Sequence, residues 1–109
     1  MLRINNSTIS LTRGDTARIE LAISKDGAVY DFSQDTVVFS VKKSTSSPDY
    51  IIHKQVVDGV IYLKPEDTAH LQVGSYKYDV QLTTQSGDVC TVIPPSVFNV
   101  EPEVTWTAS

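Results

Sequence analysis

Ser75-Tyr76-Lys77-Tyr78-Asp79-Val80-Gln81-Leu82-Thr83-Thr84 alternates apolar and polar residues along its length. Tyr76, Tyr78, Val80 and Leu82 share one face, and Lys77, Asp79, Gln81 and Thr83 share the other. Successive side chains of an extended chain point to opposite sides, so this spacing predicts a strand with one dry and one wet face. Such a face pair is the mark of an antiparallel sheet packed on one side only.

The same period recurs outward from this stretch. Over residues 16–24, Ala17, Ile19, Leu21 and Ile23 fall on one face, and Arg18 and Glu20 on the other. Over 36–42, Val37, Phe39 and Val41 alternate with Ser40 and Lys42. Shorter strands are predicted at 8–11, 50–56, 60–64, 89–93 and 97–100. Asp26-Gly27, Asp58-Gly59 and Ser86-Gly87 supply the positive φ that tight turns require. Residues 44–49 form a polar loop closed by Pro48, and Pro94-Pro95 splits the last strand region or bulges it. Only Pro65-Glu66-Asp67-Thr68-Ala69-His70-Leu71 reads as helical, with proline in the first turn, early acids and Gly74 beyond its end. It is short enough to be a crossover between strands.

Strands at this spacing predict an all-β fold, a sandwich of two sheets with buried facing stripes. The 109 residues fit one domain. Residues 1–104 are assigned to the sandwich, and 105–109 to a C-terminal tail or the start of a linker to a further domain. Nine basic and 13 acidic residues give a net charge of −4 and no basic stripe, which argues against nucleic acid as a partner. No stretch has membrane-spanning length, so no membrane is expected as a partner. Cys90 is the single cysteine, so no intrachain disulfide forms. The N-terminal residues lack a secretory pattern, and synthesis in a reducing cytosol is expected.

The crossover feeding Gly74-Ser75-Tyr76-Lys77-Tyr78 resembles the E-to-F corner of immunoglobulin-like sandwiches. There a tyrosine near the start of strand F hydrogen-bonds back to the turn. Tyr76 is the candidate, with Asp67 ordering the turn. Tyr78 stands where many such domains carry a cysteine, so the usual intersheet disulfide is missing. The resemblance implies an immunoglobulin-like antiparallel β-sandwich of about seven to nine strands with one short helical crossover.

The chain as a whole is similar to a small domain of tail and baseplate proteins from phages and prophages of Gram-positive bacteria, the N-terminal domain of upper baseplate proteins. The matching stretches are Leu11-Thr12-Arg13-Gly14-Asp15-Thr16, Val38-Phe39-Ser40-Val41-Lys42-Lys43, Pro65-Glu66-Asp67-Thr68, Gly74-Ser75-Tyr76-Lys77-Tyr78-Asp79-Val80 and the closing run from Thr91 to Val100. What it implies is a non-enzymatic module that docks onto other tail or baseplate proteins, self-associates about the tail axis and ends up in the virion. No catalytic residue, metal or cofactor comes with it.

The remaining motifs have plain readings. Arg13-Gly14-Asp15 matches an integrin-binding tripeptide, but a turn that uses Gly14 for backbone freedom explains it. Cys90, beside Val89 and Val92, is expected to be a small buried hydrophobe. His53 and His70 lack metal-ligand spacing, and Asp26, Asp35 and Asp58 lack the spacing of a calcium loop. Asp67 and Asp79 can be imagined as a glycosidase carboxylate pair, but Asp67 is read as ordering the turn backbone and Asp79 as lying on the wet face. Asn5 and Asn6 start two overlapping glycosylation tripeptides and are read as incidental. Tyr50, Tyr62 and Trp106 are candidate surface contacts. They support the alternative function, a carbohydrate-binding or adhesion domain of a phage fibre or cell surface.

Overall fold

A computed structural model describes residues 2–5 and 7–104. Trp106, the 105–109 tail and Asn6 lie outside the described residues. The described chain contains the strands β1 (Leu2–Asn5), β2 (Thr8–Thr12), β3 (Ala17–Glu20), β4 (Ser24–Lys25), β5 (Ala28–Val29), β6 (Thr36–Lys42), β7 (Ile52–Gln55) and β8 (Val60–Leu63), then the one-turn helix α1 (Pro65–Thr68), then β9 (Gly74–Thr83) and β10 (Val89–Glu101).

The main sheet has the order β1-β2-β10-β9-β6-β7, and β3 pairs with β8 in a second sheet. The inward stripes form one core. Val37, Phe39 and Val41 of β6, Tyr76, Tyr78, Val80 and Leu82 of β9, and Phe98 and Val100 of β10 meet Ala17 and Ile19 of β3 and Ile61 and Leu63 of β8. Phe39 sits at the centre, fully buried, with ring centroids 5.5 Å from Tyr78 and 6.2 Å from Phe98. The fold is therefore all-β, with two sheets sharing one core. Among the described residues it has ten strands, against the seven to nine expected.

Several expectations need correcting. The strand predicted over 16–24 is shorter, because its partner β8 begins at Val60 and pairs only with Ala17–Glu20. The Leu21 amide then donates to the Gly59 carbonyl, and Ser24–Lys25 turns off into a small hairpin with β5. Leu21 and Ile23 still pack against the core. Not every pair is antiparallel: β2 runs parallel to β10, Phe98 standing opposite Ile9 and Glu101 opposite Thr12. These strands lie at opposite ends of the sequence, so no short turn imposes antiparallel pairing on them. Of the two alternatives at Pro94-Pro95 the bulge is the one found: the last strand is continuous there, with register shifts between Thr91 and Ile93 and between Ile93 and Ser96. The helix is one turn and ends at Thr68, where the Leu71 amide already bonds to the Thr68 carbonyl.

The Asp-Gly turns have the backbone that their sequence requires. Asp26 and Asp58 have φ of 53°, and Gly27 and Gly59 have φ of 79° and 73°. Two successive positive φ values are what a type I′ turn needs. The two turns do different work, however. Asp26-Gly27 closes the β4–β5 hairpin, whereas Asp58-Gly59 carries the chain from β7 in the main sheet to β8 in the second.

One end of the sandwich is closed by Arg13. Its backbone amide bonds to the Glu101 carbonyl, and its guanidinium reaches Glu103 at 2.9 Å and the Leu71 carbonyl at 3.0 Å. The Gly14 amide donates to the hydroxyl of fully buried Thr68 at 2.8 Å. The Arg-Gly-Asp turn thus ties the β2–β3 connection to the crossover and to the segment after β10. Its arginine is spent inside the fold and is not presented at a loop tip.

Candidate functional site

The corner residues are set by the passage from β8 to β9. Buried Tyr76 donates from Oη to the Gln72 carbonyl at 2.7 Å, closing the loop between α1 and β9. Asp67 accepts from the Lys64 amide at 2.7 Å and pairs with Lys54 Nζ at 2.6 Å. Lys54 lies on β7, the edge of the main sheet, and also donates to the Tyr62 carbonyl on β8 at 3.1 Å. Its ammonium therefore ties the two sheets and the crossover together at one point. The neighbouring Tyr78 phenol, buried on the core face, donates to the Ser7 carbonyl. Burial holds it above the usual tyrosine range.

The outer face of the main sheet carries a groove of about 340 Å³. Strand register explains its lining. Ser40 on β6 stands opposite Asp79 on β9 and His53 on β7, and Lys42 stands opposite Lys77. Parity turns these side chains outward while Phe39, Val41, Tyr76 and Tyr78 turn in. His53 Nδ1 lies 2.9 Å from Ser40 Oγ. Tyr50, from the loop before β7, packs its ring 4.2 Å from the His53 ring and lies under Lys42 Nζ at 4.8 Å.

The proposed surface tyrosines are not brought together. Tyr50 borders this groove, 54% exposed, whereas Tyr62 is on the outer face of the second sheet, 40% exposed. The Arg18 guanidinium lies 4.6 Å from the Tyr62 ring, and Lys64 Nζ 6.0 Å from it. No single aromatic platform spans them. Nor do Asp67 and Asp79 share a cleft: Asp79 lines the groove, and Asp67 is held at the corner by Lys54. Exposed His70 lies with Nδ1 3.3 Å from the Glu66 carbonyl. Among the described residues no group of three His, Cys, Asp or Glu side chains is placed to hold a metal ion. None of the described helices is long and apolar enough to cross a membrane.

Cys90 is not buried. It is exposed on β10, beside a largely apolar cleft lined by Leu21, Ile23, Tyr30, Leu82 and Ile93. It stands opposite Leu82, whose side chain is buried, but the β3–β8 sheet does not extend over this part of β10. An apolar stretch of sequence did not reveal where the covering sheet would stop. The two lysines of the groove were also missed as a pair. Their outward parity was legible, but their direct opposition depends on register between strands far apart in sequence.

No protein-family model, no curated protein and no solved structure matches the chain.

Proposed function

We propose that this chain is an immunoglobulin-like, non-enzymatic structural or interaction module of a phage or prophage tail or baseplate, docking onto other tail proteins and reaching the virion on assembly. The observation that carries the fold part is the corner: a short crossover leads from one sheet to the other, and the Tyr76 hydroxyl bonds back to Gln72. The strand order supports it, with β10, β9, β6 and β7 in one sheet and β3 and β8 in the other. The tail assignment rests on the sequence stretches quoted above. Such a sandwich offers its partners loop ends and strand edges, and the β7 edge and the outer edge of β3 serve here, whereas the outer edge of β8 is taken by Val57 and Lys54.

The test is an immunoblot of purified virions, or of induced prophage particles, beside the soluble host fraction. A signal in the particles in fixed ratio to the other tail proteins is expected. A signal confined to the soluble fraction overturns the tail reading.

A second reading, carbohydrate binding, is favoured by the groove, where Tyr50 and His53 adjoin Ser40 and Asp79. It predicts glycan affinity that falls on Tyr50→Ala while Tyr62→Ala leaves it unchanged.

A further inference from the structure

We infer that the groove on the outer face of the main sheet binds an acidic saccharide, with Lys42 and Lys77 gripping its anionic group. The inference deepens the carbohydrate reading and rests on it. It does not depend on whether the domain belongs to a tail.

The argument begins with register. Lys42 and Lys77 are direct partners across β6 and β9, on the same outward face. Residues so placed have Cβ atoms about 5 Å apart, and like charges directly opposite destabilise a sheet. Among the described residues neither ammonium forms an ion pair. Lys42 Nζ is held instead against the Tyr50 ring. Asp79 is the one acid in the lining, and it stands opposite Ser40, one row along. In a chain of net charge −4, this is a local excess of positive charge that an anion between the two ammoniums would relieve.

The rest of the lining narrows the ligand to a sugar. Ser40, Thr45, Gln81 and Thr83 offer both donors and acceptors, as a polyhydroxyl ligand needs. Tyr50 and Pro95 offer apolar surface to the C–H face of a ring. The volume of about 340 Å³ falls at the lower end of small-ligand sites. The groove lies across the sheet face, not along an open edge, so an extended acidic peptide would find no backbone to pair with.

The test is calorimetric titration of the domain with oligogalacturonate, with a neutral malto-oligosaccharide of equal length, and with polyglutamate. Oligogalacturonate is expected to bind more tightly than either of the others. Lys42→Gln combined with Lys77→Gln should weaken it by about tenfold or more, as loss of charge-assisted contacts implies. Arg18→Gln, on the other sheet, should leave binding unchanged. The double variant should also melt no lower than the parent, because it removes a repulsion, so any lost binding is not lost folding. Equal binding of the neutral sugar, indifferent to the lysine substitutions, overturns the acidic specificity and leaves the carbohydrate reading standing. Tightest binding by polyglutamate overturns the saccharide assignment. Binding by none of the three overturns both.

Discussion

Replacing Tyr76 by phenylalanine tests the corner with the least disturbance. The ring remains, so the apolar area buried on folding is almost unchanged, and only the hydroxyl bonded to the Gln72 carbonyl at 2.7 Å is removed. A net intramolecular hydrogen bond contributes about 1 kcal/mol, and a buried acceptor left without a partner raises the cost to about 3 kcal/mol at most. Gln72 is exposed, so water can reach its carbonyl, and the loss should stay near 1 kcal/mol. For a domain of this size that lowers Tm by about 4 °C. With a urea m-value of about 1–2 kcal/mol/M, the midpoint falls by about 0.5–1 M. Circular dichroism during urea and thermal unfolding reads both. Tyr62→Phe is the control, because that ring lies on the surface against Arg18. If Tyr76→Phe unfolds within error of the parent, or no earlier than Tyr62→Phe, the hydroxyl does not lock the corner and the reasoning fails.

Phe39→Ala removes the fully buried ring between Tyr78 and Phe98 and should cost about 3–5 kcal/mol, much of a small domain's stability; a two-state denaturation curve checks it. The hydrogen bond from Arg13 holds the Glu103 carboxyl below its usual range. A depressed folded-state value gives stability that is present above the unfolded value and lost as pH falls through the folded one. The stability gap between the parent and Glu103→Gln should therefore be steady at neutral pH and close in acid, as denaturation midpoints across that range will read. Exposed Cys90 should react in the folded protein with a small disulfide reagent within about tenfold of the unfolded chain's rate, and much stronger protection would contradict its placement on the surface.

Strands β6 and β9 were legible because one face of each had to be dry. Val37, Phe39 and Val41, and Tyr76, Tyr78, Val80 and Leu82, are buried as their alternation requires, because a pleated strand leaves no other way to separate the two sets. The Asp-Gly turns were legible because positive φ is a local property of those residues. The candidate site was legible only in fragments. Tyr50 was named from its type, but its neighbours His53, Ser40 and Lys42 are assembled around it by a loop and the β6–β7 pairing.

By itself, then, the sequence determined the all-β class, the inward stripes, the turns and the crossover between β8 and β9, since each depends on residues close together in the chain. Tertiary structure alone decided the parallel pairing of β2 with β10, the early end of β3, the exposure of Cys90 and the opposition of Lys42 to Lys77. Each of these depends on which strand lies alongside which, and in what register. Residues distant in sequence settle that by burying a common core, and no local pattern records it.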